Sequence, residues 1–139
     1  MLIIKPSVIK EISSGVEPEL NECCGFLFGY QNIQNRTVTK AIAAVNSKVG
    51  DKHANYEITS EDYMQAERIA YQEDLDLLGI YHTHPNRPAI PSDYDEEMAL
   101  PCFSYIIISV MNKKIASIRS WQLDDDFQFK EEKIDFIST

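Results

Sequence analysis

Residues 79–97 read GIYHTHPNRPAIPSDYDEE, and no other stretch limits the fold as tightly. An apolar run, LDLLGIYHTH, ends at Pro85. Its length and composition predict a strand over Leu77–His84, in which residues two apart share a face. His82 and His84 then stand side by side and Thr83 points away. Pro88 and Pro91 stiffen the loop that follows. Ser92, with Asp95 three residues on, is the pattern of a helix N-cap, so a short helix is expected to start at Ser92 with Asp95 in its first turn. Two imidazoles and one carboxylate on such a frame form a three-ligand zinc set, with ligand atoms ~2.0–2.2 Å from the ion and a fourth position open to water. A bound metal lowers the pKa of that water from ~16 toward ~7. The chemistry further needs a group that takes and passes on the proton. Ligand type alone leaves iron and manganese open.

The rest of the chain supplies a frame. Pro6 opens a helix with Val8, Ile9 and Ile12 on one side, and Gly15 and Pro18 end or bend it before Glu22. CCGFLFGY reads as a buried strand and RTVTKAIAAVN as a second, paired with it. TSEDYMQAERIAYQED reads as a helix with Thr59 and Asp62 as a capping pair and Tyr63, Ala66 and Ala70 on one face. FSYIIISV, KIASIRSWQL and FQFKEEKIDFI read as three more strands, turned by MNKK and by the acids Asp124 to Asp126. The expected fold class is α+β: a mixed, mostly antiparallel curved sheet flanked by two longer helices and one short helix. The 139 residues suit a single domain spanning 1–139.

Charge and composition exclude some functions. Lys and Arg total 13 against 22 Asp and Glu, a net charge of −9, which is the wrong sign for a nucleic-acid footprint. The short apolar N-terminus is no signal-peptide core, and no run is long enough to cross a membrane. Cys23, Cys24 and Cys102 are odd in number and fit reduced thiols, so a cytoplasmic location is expected. Cys24 is expected to pack beside Gly25, Cys23 and Cys102 to be small core or surface residues, His53 to be solvated, and Trp121 to sit in a core strand.

HTHPNRPAIPSDYD follows the pattern His-x-His-Pro, six residues, Ser, two residues, Asp, and ECCGFLFG upstream follows Glu-x-Cys-Gly. Together they resemble the JAMM (MPN+) zinc metalloprotease family, and the order of elements agrees over most of the chain. The resemblance implies that His82, His84 and Asp95 hold one zinc ion. It implies that Glu22 is the general acid/base and that Ser92 stabilises the oxyanion. Glu17 and Glu19 are close rivals to Glu22, but only Glu22 has the Cys-Gly at the right offset. The family position at Thr83 is often serine, which changes little for a side chain that faces away from the metal. The family cleaves ubiquitin or ubiquitin-like proteins from conjugates, and this chain is similar to its small stand-alone prokaryotic members. Some of those hydrolyse the bond after the C-terminal Gly-Gly of a sulfur-carrier protein. The partner implied is therefore a ubiquitin-like or sulfur-carrier protein with a Gly-Gly tail, with no nucleic acid and no membrane, and with monomer and homodimer both open. The segments Asn86 to Pro91 and Val45 to Tyr56 are candidate walls of the groove for that tail. Two other readings are a non-catalytic scaffold on the same fold and a hydrolase of a non-protein amide, including a relative of RadC proteins. Thr83 and Asn86-Arg87 depart from the usual RadC pattern.

Overall fold

The structure is a computed structural model that describes residues 1–136. The elements run β1 (Leu2–Ile4), α1 (Pro6–Val16), β2 (Cys24–Gln31), β3 (Arg36–Ala44), α2 (Ser60–Gln72), β4 (Asp76–Pro85), α3 (Asp93–Met98), β5 (Ser104–Met111), β6 (Lys114–Leu123), β7 (Phe129–Glu132) and β8 (Ile134–Phe136). Local chemistry sets most of the boundaries. Pro6 occupies the first turn of α1, where its missing N–H costs nothing. The helix passes through Gly15 and stops at Val16, and it buries Val8, Ile12 and Val16, a stripe at four-residue spacing. Thr59 Oγ1 accepts from the Asp62 N–H at 3.1 Å and caps α2. Asn112 and Lys113 both have positive φ, the geometry of a two-residue type I′ turn joining β5 to β6.

All eight strands form one sheet in the order β7-β6-β5-β4-β2-β3-β1-β8. Among the described residues four pairings are antiparallel and three (β1 with β3, β1 with β8, β4 with β5) are parallel. The sheet is thus mixed, with a smaller antiparallel majority than expected. Three connections among the described residues hold helices: β1 and β2 flank β3 and are joined through α1, β3 and β4 flank β2 and are joined through α2, and the parallel pair β4 and β5 is joined through α3.

The expected single strand FQFKEEKIDFI is two strands, and its Ile137 lies outside the described residues. β7 pairs with β6 and β8 pairs with β1, at opposite edges of the sheet, with Lys133 alone between them. One residue can join two edges only if they meet, so the sheet curls into a nearly closed barrel. The Leu2 N–H donates to the Lys133 carbonyl at 2.9 Å and ties that linking residue to β1. Closure also explains the three-residue β1, absent from the sequence reading, whose Leu2 and Ile4 are fully buried.

Apolar side chains sort onto two faces. Leu27, Val38, Tyr81, Ile106 and Ile108 pack with α1, whereas Phe26, Phe28, Ile80 and Tyr105 pack with Ala66 and Ala70 of α2. A bulge leaves Leu78 out of the pairing between β2 and β4, after which β4 alternates cleanly. Ile80, His82 and His84 therefore project from the α2 face, and Tyr81 and Thr83 from the α1 face. Gly25, paired with Tyr81, leaves room for that ring: a Cβ there would lie 2.3 Å from Tyr81 Cε2.

Candidate metal centre

His82 and His84 are buried on β4, and Asp95 is buried in the first turn of α3. The expected helix start at Ser92 is present as a reciprocal capping box. Ser92 Oγ accepts from the Asp95 N–H at 3.1 Å, and Asp95 Oδ2 accepts from the Ser92 N–H at 2.9 Å. This box fixes the direction of the carboxylate. The His84 Nδ1–H donates to the Pro88 carbonyl at 2.9 Å, since a carbonyl can only accept. That bond leaves a lone pair on His84 Nε2 and aims it inward.

Three ligand residues converge there. His84 Nε2 lies 3.0 Å from Asp95 Oδ2 and 3.2 Å from His82 Nε2, and His82 Nε2 lies 3.3 Å from Asp95 Oδ1. Lone pairs packed this closely repel unless a proton or a cation sits among them. Two ligands held at ~2.0–2.1 Å in a tetrahedral shell stand roughly 3.3–3.4 Å apart, so the spacing suits a small metal ion. The Tyr56 ring stacks on the His82 ring at 4.5 Å and holds its plane.

Glu22 completes a buried group whose ligand atoms lie within 4.8 Å of one another. It sits just before β2 and its backbone is tied at both ends. Its N–H donates to the Lys52 carbonyl at 2.8 Å, and its carbonyl accepts from Asn46 Nδ2 at 3.0 Å. Next to it, Cys23 is stitched to β4: its N–H donates to Thr83 Oγ1 at 2.8 Å, and its carbonyl accepts from the Thr83 N–H at 2.9 Å. Thr83 thus faces away from the imidazoles, as expected, and holds the segment that runs from Glu22 into β2. Glu22 Oε2 accepts from Arg87 Nη2, and Glu22 Oε1 is buried without a partner. The rivals lie elsewhere: Glu17 Oε2 accepts from the Ile115 N–H, and Glu19 is exposed.

The electrostatics follow from this packing. Burial, then the Asp95 charge, raises the Glu22 carboxyl to about 7, against the opposing pull of His84 and Arg87. Burial pushes the Asp95 carboxyl up, but the imidazoles of His82 and His84 and the Ser92 N–H override it and hold the group well below the usual carboxylate range. Burial lowers His82, which favours the neutral imidazole that a metal needs. Asp95 is therefore held ionised and His82 held neutral, with one basic carboxylate beside them.

A cleft of about 410 Å³ opens on Glu22 between the end of α1 and the β2–β3 pair. Small side chains, including Gly15, Ala43 and Ala44, line it. Of the two expected walls, the Val45 to Tyr56 segment contributes Asn46 and Lys52, and the Asn86 to Pro91 loop does not line it. That loop instead supplies Arg87 and the Pro88 carbonyl to the centre.

Other residues fall as follows. Cys24 is buried, with burial raising its thiol to about 12, and Cys23 and Cys102 are free thiols. His53 is exposed, and its Nδ1–H donates to the Leu20 carbonyl. Trp121 is half-buried on β6 rather than in the core, and its indole N–H donates to the Ala89 carbonyl at 3.3 Å. Asp124 closes a turn by accepting from the Asp126 and Gln128 N–H groups. Sequence reasoning missed Arg87, Asn46 and the stacking of Tyr56, because each acts across a long chain separation that no local pattern records.

Comparison with known proteins gives the family and the fold. The profile of the prokaryotic homologs of the JAB domain matches residues 7–124. A desampylase of Pyrococcus furiosus is 32% identical over 96% of this chain and 89% of its own length. A desampylase of Haloferax volcanii is 33% identical over 63% of this chain and 62% of its own. Among solved structures, a Desulfitobacterium hafniense protein superposes with a TM-score of 0.87 at 25% identity, covering 100% of this chain and 94% of that one. A Salinibacter ruber protein reaches 0.73 at 30% identity, over 96% and 90%. With a buried His-His-Asp cluster, an adjacent glutamate and a matching profile over most of its length, the chain belongs to the JAB (JAMM/MPN) family, among its prokaryotic homologs.

Proposed function

We propose that this protein is a zinc-dependent peptidase or isopeptidase that hydrolyses the amide bond after the C-terminal Gly-Gly of a ubiquitin-like or sulfur-carrier protein. The observation that carries the reading is the convergence of His82 Nε2, His84 Nε2 and Asp95 beside a glutamate with one unpartnered buried oxygen. His82, His84 and Asp95 would hold the zinc, which when bound supplies Lewis-acid polarisation and a lowered pKa for water. Ligands drawn from one strand and one capped helix are rigid, as such a centre requires.

The chain's own residues supply the remaining steps. Glu22 takes the proton of the attacking water on Oε1 and delivers it to the departing amine nitrogen, which must leave protonated. Its burial keeps it basic enough for both transfers. The Ser92 hydroxyl oxygen is already used as an acceptor by the Asp95 N–H, so its own hydrogen is free to donate to the oxyanion of the tetrahedral intermediate. Tyr56 and the Pro88 carbonyl keep the two imidazoles from rotating. The cleft beside Glu22 has Gly15, Ala41, Ala43 and Ala44 among its lining but none of His82, His84, Ser92 and Asp95, so the reading rests on the ligand cluster and not on the cleft. The desampylase name of two relatives supports a protein modifier as the substrate class, and the reduced thiols support a cytoplasmic setting.

The test uses candidate carrier proteins fused through their tails to a reporter, with and without a chelator. Reporter release is expected to require the metal. Glu22→Gln is expected to keep zinc and lose release by about 10²–10⁴-fold. Equal release in the presence and absence of chelator contradicts the reading.

A further inference from the structure

Glu22 lies close enough to the three inward-facing ligands to become a fourth. One ligand atom from each of Glu22, His82, His84 and Asp95 falls within 4.8 Å of the others, and all four residues are buried. A carboxylate in that position would close the coordination shell and turn an open, reactive site into a sealed structural one. Something must hold it back. Arg87 is the group in contact with it: Nη2 donates to Glu22 Oε2, while Oε1 has no partner. Arg87 is itself anchored. Its carbonyl accepts from Ser109 Oγ at 2.5 Å and its N–H donates to the His84 carbonyl at 3.4 Å. The preceding Asn86 sits in the left-handed region with φ 55° and donates its N–H to Val110 at 2.7 Å. The guanidinium therefore pulls on the carboxylate from a fixed point on the loop after β4.

We propose that Arg87 is a positioning residue that tethers Glu22 outside the metal's coordination shell and so reserves it for proton transfer. The inference rests on the metal-centre reading above. It assigns a role to a residue outside the His-x-His…Ser-x-x-Asp pattern. The tether is electrostatic and directional. Lysine at this position would preserve the charge on a shorter side chain without the planar fork that aims Nη2, so it would restore the restraint in part.

The experiment measures affinity for Zn²⁺ by competition with a chromophoric chelator, and the visible spectrum of the Co²⁺-loaded protein, which reports the ligand set. Wild type, Arg87→Ala, Arg87→Lys, Glu22→Gln and the double variant Arg87→Ala/Glu22→Gln are compared, with Arg87→Gln replacing Arg87→Ala if the alanine variant does not fold. The expected result is tighter zinc binding by Arg87→Ala, by at least about tenfold; outer-shell partners change metal affinity by about 10–100-fold, usually by supporting a ligand, and here the sign reverses because the group removed restrains one. Its Co²⁺ spectrum should change as the carboxylate enters. Both changes should vanish in the double variant, and Arg87→Lys should fall between wild type and Arg87→Ala. A gain of equal size with and without Glu22 would show only the removal of a nearby positive charge and would overturn the tether. Unchanged or weaker zinc binding by Arg87→Ala overturns it as well. A wild-type chain that takes up neither Zn²⁺ nor Co²⁺ overturns the metal centre itself, an outcome distinct from the others because it appears before any variant is compared.

Discussion

Replacing Thr83 by valine isolates the contact that locks Glu22's segment to β4. Thr83 is 1% exposed, so water cannot replace what the substitution removes. Valine keeps the shape but offers a methyl where Oγ1 accepted the Cys23 N–H at 2.8 Å. The Thr83 N–H to Cys23 carbonyl bond at 2.9 Å survives, so the strands stay in register. The cost is one hydrogen bond lost with its donor left buried, about 1–3 kcal/mol. For a domain of this size that corresponds to roughly 3–10 °C in Tm. Cys23 follows Glu22 directly, so the loosened backbone should also spoil the aim of the carboxylate. Small misplacements of a catalytic group lower turnover more than binding, so kcat should fall while KM holds. Zinc content should not change, because the ligands leave the opposite face of β4. Thr83→Ser, which keeps the acceptor, should recover most of both losses. The assay is urea and thermal unfolding of the zinc-free proteins, paired with steady-state cleavage of a tail-fused reporter. A valine variant as stable and as active as wild type would refute the reasoning, and so would one that loses zinc.

Two more outcomes follow from the packing and charge of the site. In zinc-free protein the Glu22 carboxyl is raised from 4.5 to about 7, so between those values the folded chain holds a proton that the unfolded chain has released. The Glu22 contribution to stability therefore falls as pH rises through that window, by roughly 3 kcal/mol at full extent, while the lowered His82 contributes in the opposite sense as pH rises toward its ordinary 6.5; urea unfolding at pH 5 and 7.5 should thus show wild type losing stability relative to Glu22→Gln. The lowered Asp95 acts oppositely, losing its stabilisation only as pH drops below its ordinary value of 3.8, outside the window. At Gly79 an added Cβ would meet the Ser104 carbonyl oxygen at 1.8 Å, forcing β4 from β5. Gly79→Ala should accordingly cost more than about 4 kcal/mol, whereas Gly15→Ala, with nothing within 4 Å, should gain about 0.5–1 kcal/mol in thermal unfolding.

Much of the frame is written locally. The Thr59 and Ser92 caps, the run ending at Pro85 and the alternation through His82 and His84 each depend on neighbours a few residues apart, and each appears where those patterns put it. What escaped depends on closure. Three apolar residues before Lys5 form β1 only because β3 and β8 flank them. FQFKEEKIDFI reads as one strand because nothing in its composition marks Lys133 as the point where the chain passes from one sheet edge to the other. The site divides the same way. The ligands stand at fixed short spacings, but Arg87 reaches Glu22 across 65 positions, and Asn46 reaches it across 24. Those partners become neighbours only when β2 and β4 pair and the loops are drawn over them. A mixed sheet is legible from the strand–helix–strand order, but which strands pair in parallel is not, because the barrel seam also sets strand direction.

The most direct measurement of the central claim is metal content by mass spectrometry on protein reloaded with zinc and freed of excess. The account predicts one zinc per chain in wild type, close to none in His84→Ala, and chelator-sensitive cleavage only where zinc is held. Wild-type protein as empty as His84→Ala, yet still cleaving, would contradict it.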